Sequence, residues 1–107
     1  MTVNEWLAAR RPQPPTALAT KVTSTLGAAG QEEAADVASV CLAAGERLVA
    51  DLLTRDCTHR DSASDLLAAD ALVTYAFEAA GQDPTTLVAC AESAMRRIAT
   101  LAGEGTA

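Results

Sequence analysis

The sequence predicts an all-α protein: a single-domain helical bundle of four main helices preceded by a short N-terminal helix. No segment alternates apolar and polar residues with β-branched enrichment, which is the pattern of a half-buried strand. Residues 62–80 instead have the pattern of one helix that is apolar round most of its circumference and carries a narrow acidic stripe. Other helices must surround a helix of that kind. We therefore expect residues 62–80 to form the centre of the bundle.

The N-terminal region is predicted to be a short helix followed by a stiff connector. The run Thr2-Val3-Asn4-Glu5 matches a capping box and opens the helix that carries Trp6. Prolines 12, 14 and 15 end this helix and form an extended connector. We divide the single domain into this helix and connector (1–14), the bundle (15–103) and a frayed tail (104–107).

The second helix is predicted to run from Pro15 to Leu26, since proline is favoured at a first helical position and Gly27 is a stop signal. The third is predicted over residues 31–55, with acidic residues in its first turns where the helix dipole favours them. One apolar seam follows this third helix, formed by Val37, Cys41, Ala44, Leu48 and Leu52. Gly45 within it predicts a close helix crossing.

The central helix is predicted to begin at a second capping box, Ser62 to Asp65, and to end at Gly81. Asp83 and Pro84 then form an N-cap and a first-position proline that open the last helix. Gly103 is expected to close that helix. Its predicted apolar face consists of Leu87, Ala91, Ala94, Met95, Ile98 and Leu101.

Charge and composition exclude some classes of function. The net charge of −6 and pI of about 4.5 argue against a nucleic-acid or anionic-membrane surface, because phosphate binding needs a basic field. No apolar run reaches the length of a membrane span. The sequence start has no signal-peptide pattern, and the abundance of Ala and Arg is typical of a genome-composition bias, so we expect a cytoplasmic, bacterial protein with reduced cysteines.

The acidic stripe of the central helix consists of Asp70, Thr74 and Glu78, spaced i, i+4, i+8. One interpretation is a small-ligand or metal site within the bundle that also uses Arg96 or Arg97. The other, which we favour, is a solvent-facing stripe, because the Glu-x-x-His pattern of di-metal bundles is absent. We predict no metal and no cofactor.

Two other groups of side chains are candidates for chemistry. Arg55 and Arg60 could join Arg96 and Arg97 at one end of an up-and-down bundle and hold an anion, although local surface ion pairs are the favoured outcome. Cys57, with His59, lacks the second ligand pair that a zinc site needs. We find no catalytic motif and expect a protein that is not an enzyme.

The favoured function is association, most of all with a second copy as a homodimer, or with another protein. An Ala-rich core stabilises a small domain only weakly, and the central helix has more apolar surface than one small chain easily covers. The candidate interface residues are Trp6, Leu72, Tyr75 and Phe77. Trp6 has two interpretations: a lid packed on the bundle, or an arm that packs on a partner.

Residues 67–78 resemble a helix of isoprenyl diphosphate synthases, in which a similar Gly-Asp-Ala-Leu…Ala-Phe-Glu pattern occurs. The resemblance covers about a dozen residues, and neither Asp-Asp-x-x-Asp motif of those enzymes is present. No catalytic residue is carried over. The resemblance implies a buried helix with an inward-facing or interface acid.

Overall fold

The computed structural model describes the backbone of residues 1–55, 60–82 and 84–105, and within these ranges it contains helices and no strand. The all-α prediction is therefore confirmed. Two short 3-10 turns, Gly27–Gln31 and Ala34–Asp36, connect the second and third helices. The five α-helices are α1 (Val3–Ala8), α2 (Thr16–Leu26), α3 (Val37–Thr54), α4 (Arg60–Ala80) and α5 (Pro84–Gly105).

The N-terminal helix has the predicted capping box. The Glu5 backbone N–H donates to Thr2 Oγ1 at 3.2 Å, and the Thr2 backbone N–H donates to Glu5 Oε2 at 3.3 Å. The chain before α1 also bonds to the segment before α3, because Ala34 N–H donates to the Met1 carbonyl at 2.8 Å. These bonds tie the N-terminus to the bundle.

The predicted start of the third helix at residue 31 is wrong, because α3 begins at Val37. The Glu32 carbonyl accepts a hydrogen bond from Val3 N–H at 2.9 Å, so this backbone is used for tertiary pairing instead of helix. Gly30 is buried under Asn4, and an added Cβ would overlap that side chain. The stop at Gly27 is confirmed: its φ of 54° is one that glycine adopts readily.

The core lies mainly between α3 and α4. All five residues of the predicted α3 seam are buried. The predicted close crossing at Gly45 is confirmed, since a Cβ there would lie 3.0 Å from Val73 Cγ2 and 3.4 Å from the Ala69 carbonyl oxygen. The absence of a side chain at Gly45 therefore sets how closely the two helices approach.

The central helix begins at Arg60, so the predicted start at a Ser62–Asp65 capping box is wrong. Ser62 and Asp65 lie within the helix and are buried. The α4 face that carries Leu72 is fully enclosed by neighbouring helices. Neighbouring helices cover less of the α4 surface than predicted, because Leu66 and Leu67 are about 60% exposed.

The last helix begins at Pro84 as predicted, whereas Asp83 lies outside the described residues. It continues to Gly105, so the predicted end at Gly103 is wrong. Its apolar face is only partly packed: Ala94 is buried, but Met95 is 70% and Ile98 55% exposed. None of the described helices has the length and apolar character needed to cross a membrane.

Candidate functional site

The last helix lies across α3 and α4 and leaves an open cleft along each of its flanks. On one flank, a groove of about 320 Å³ separates α5 from the α3–α4 pair. We call it the apolar groove, since Glu46 is its only charged lining residue. Its other lining residues are Leu42, Val49, Val73, Phe77, Ala91, Ala94, Met95, Ile98 and Leu101.

An exposed apolar row on α5 borders this groove. It consists of Val88, Ala91, Met95 and Ile98, whose spacing of three, four and three residues places them on one helical face. Val88 is 58% exposed, and its neighbours Met95 and Ile98 are similarly open. We call these four residues the α5 row. Apolar side chains grouped in this way on a surface mark a site of association.

The α3 and α4 walls of the groove extend beyond α5. Leu53 follows Val49 by four residues on α3, and Leu66 precedes Val73 by seven on α4, so each continues the face of its helix that lines the groove. Both leucines are 59% exposed. These two leucines are therefore further exposed apolar side chains towards the end of the bundle where α3 finishes and α4 begins.

On the opposite flank of α5 lies a cleft of about 460 Å³, which we call the arginine cleft. Arg97 Nη1 donates to Glu46 Oε2 at 2.9 Å across it. Its lining residues are Ala43, Glu46, Arg47, Ala50, Arg96, Arg97, Thr100 and Leu101.

The structure brings together only part of the predicted arginine cluster. Arg96 and Arg97 share the arginine cleft, but Arg55 instead donates to Asp65 Oδ2 at 2.6 Å. The side chain of Arg60 lies outside the described part of the chain. Sequence reasoning missed Arg47, and the available signal was its spacing between Ala43 and Ala50 on one face of α3.

The acidic stripe is exposed in the single chain. Asp70, Thr74 and Glu78 all face outwards from α4, and the two clefts described above are lined by other residues. This is the arrangement that the solvent-facing interpretation expects. Within the described ranges, no group of three or more His, Cys, Asp or Glu side chains is placed to hold a metal ion. Cys57 and His59 lie outside those ranges.

The buried acid of α4 is Asp65, which lies just before the segment 67–78 that resembles the synthase helix. The Asp65 side chain is only 5% exposed and pairs with Lys21 Nζ at 2.5 Å as well as with Arg55. Hydrogen bonds from Lys21 and then Arg55 hold the Asp65 pKa below its ordinary value of 3.8, against the opposing effect of burial. This carboxylate therefore has a structural position between α2, the end of α3 and α4.

The interface candidates named from the sequence are mostly used inside the chain. Trp6 is 8% exposed, and its ring meets Tyr75 edge-on at 6.3 Å between centroids, as the lid interpretation expects. The Arg10 guanidinium covers the same indole at 4.1 Å. Leu72 is fully buried. Tyr75 and Phe77 are half-buried, and Phe77 lines the apolar groove.

The protonation of two buried groups also bears on chemistry. Burial raises the pKa of the Cys41 thiol to about 11, so it is a protonated and unreactive core residue at neutral pH. Burial, with the nearby Glu78 charge, raises the pKa of Tyr75. Neither group is poised as a nucleophile or a base.

The clefts beside α5 offer two kinds of chemistry: the apolar groove can bury hydrophobic side chains, and the arginine cleft can hold an anion. No family model, curated protein or solved structure matches this chain.

Proposed function

We propose that this chain is a non-catalytic, self-associating helical module in which the α5 row packs against the α5 row and apolar groove of a second copy. The observation that carries the proposal is the exposure of Met95 and Ile98 beside a groove that has almost no polar lining. Burying such surface contributes about 25 cal/mol per Å². A small domain with an Ala-rich core gains stability in this way.

The α5 row is complementary to itself when two copies run antiparallel. The pairing that sets Met95 opposite the second copy's Ala91 also sets Ile98 opposite its Val88. A large side chain then meets a smaller one at each level, and a twofold axis relates the two halves of the contact. Interfaces of this isologous kind are the commonest among homo-oligomers.

A ligand or metal site on Asp70, Thr74 and Glu78 is the alternative, and it has less support. Ligand sites are concave and draw polar groups from several directions. These three side chains project from one exposed face of α4. We therefore place function on α5, and we propose that the module acts in the cytoplasm, where its cysteines stay reduced.

Sedimentation velocity across the micromolar range tests the proposal. We expect the wild-type chain to change from monomer to dimer as its concentration rises through this range, and Met95→Glu to stay a monomer because the dimer would bury its charge in the contact. Leu67→Glu is the matched control, since Leu67 is 60% exposed on α4 outside the groove lining and should leave the dimer intact. A monomeric wild type, or equal loss of dimer in both variants, would overturn the proposal.

A further inference from the structure

We infer that the arginine cleft binds a small organic carboxylate that carries a short aliphatic tail. The cleft lies along the flank of α5 opposite the apolar groove, so pairing through the α5 row leaves it accessible. The inference is independent of self-association, because all the lining residues come from α3 and α5 of one chain.

The arginine cleft has a high share of the positive charge of the chain. The chain has a net charge of −6 and only eight basic residues, yet three of these line this one cleft. Arg47 and Arg96 are exposed and form no ion pair with any residue in the described part of the structure. The arginine cleft is therefore a positive site on an acidic molecule, and such a site attracts anions.

The Arg97 guanidinium is held in a fixed orientation by Glu46. Glu46 has a side chain only 15% exposed and anchors the Arg97 guanidinium through a single Nη1 contact of 2.9 Å. A guanidinium has five N–H donors, so Arg97 keeps donors for a ligand while Glu46 fixes its orientation. The planar fork of arginine matches a carboxylate in a bidentate way. Arg96 and Arg47 add two further cations to the lining, in which Glu46 is the only acid.

The wall of the arginine cleft is apolar between the arginines. Between the arginines the lining consists of Ala43, Ala50, Leu101 and Thr100, which present mostly methyl and methylene groups. A purely polar anion such as inorganic phosphate would leave this apolar wall exposed to water. A short aliphatic tail would cover it, and the burial of its methylene groups would favour binding. The combination selects an amphipathic carboxylate.

The experiment is an NMR titration of the ¹⁵N-labelled chain with octanoate. Octan-1-ol, which has the tail without the charge, and inorganic phosphate, which has the charge without the tail, are the control ligands. We expect octanoate to shift the amides of α3 residues 43–50 and α5 residues 96–101. We expect each control ligand to bind at least about tenfold more weakly, since octan-1-ol cannot form charge-assisted hydrogen bonds and phosphate buries no methylene groups.

Two variants, each lacking one positive charge, distinguish binding in the arginine cleft from a general attraction between octanoate and positive charge on the protein. Arg96→Gln should weaken octanoate binding about tenfold. Arg11→Gln, in the exposed N-terminal connector, should leave it unchanged. Equal affinities of the two variants, tight binding of octan-1-ol or phosphate, or shifts confined to the apolar groove would each overturn the inference.

Discussion

Lys21 on α2 places its Nζ 2.5 Å from Oδ1 of Asp65 on α4, so an ion pair joins two helices that are far apart in sequence. Arg55, just beyond the end of α3, completes the cluster at 2.6 Å from the other carboxylate oxygen. The cations are 37% and 43% exposed in their side chains, whereas the carboxylate is buried. Asp65 is thus the acid around which three parts of the bundle meet.

Removing this acid should destabilise the fold. We expect Asp65→Asn to lower the free energy of unfolding by about 2–3 kcal/mol, since it removes two charge-assisted contacts from a buried site. Urea denaturation followed by circular dichroism measures the change. Asp70→Asn removes the same charge from the exposed side of the same helix, and a loss as large in that variant would contradict the structural role of Asp65.

The same cluster predicts how stability depends on pH. The folded pKa of Asp65 is lower than its ordinary value of 3.8, so the carboxylate stabilises the fold in full at pH values well above 3.8. That contribution is lost as the pH falls below 3.8 and passes through the lowered pKa of the folded chain. We expect the stability difference between wild type and Asp65→Asn to shrink over this acidic range, and a constant difference would refute the linkage.

The Gly45 crossing gives a prediction about packing. Gly45→Ala gains about 1 kcal/mol in helix propensity, but its Cβ would lie 3.0 Å from Val73 Cγ2, so we expect a net loss of about 1–2 kcal/mol. Gly103→Ala is the control, since a Cβ there meets nothing within 4 Å and should be neutral or stabilising. Thermal denaturation compares them. Adding Val73→Ala to Gly45→Ala should relieve the crowding between α3 and α4, and a further loss would contradict this account.

Trp6 is the sole tryptophan and reports directly on the N-terminal lid. Because it is 8% exposed against Tyr75, we expect a blue-shifted emission and weak quenching by acrylamide. Truncation by Trp6→Ala should cost about 3 kcal/mol, as for other buried aromatic residues. A red-shifted, fully quenchable emission in the wild-type chain would show that α1 is detached from the bundle.

Local sequence signals predicted most of the fold correctly. The capping box at Thr2, the stop at Gly27 and the close crossing at Gly45 each depend on the chemistry of one or two residues, and each is present. The starts of α3 and α4 were wrong because tertiary contacts overrode local ones. Glu32 accepts a hydrogen bond from Val3, and Asp65 pairs with Lys21 instead of capping its own helix.

The candidate site was harder to predict, because it depends on where α5 lies. Periodicity identified the apolar face of α5 but did not determine how much of it the rest of the chain covers, and Met95 and Ile98 are mostly exposed. The contribution of Arg47 requires α5 to cross the outer side of α3, which no local pattern encodes. Spacing within a helix identifies its faces, but the packing of neighbouring helices decides which face is covered.

The most direct test of the central proposal is a concentration series of ¹⁵N amide spectra across the micromolar range. Self-association through the α5 row predicts shift changes that cluster at residues 88–98 and at the groove residues Val73 and Phe77. Amides of α2, which contributes no residue to the groove lining, should stay constant. A chain that stays monomeric, with spectra that do not change with concentration, would contradict the account. Shift changes centred on the acidic stripe would also contradict it.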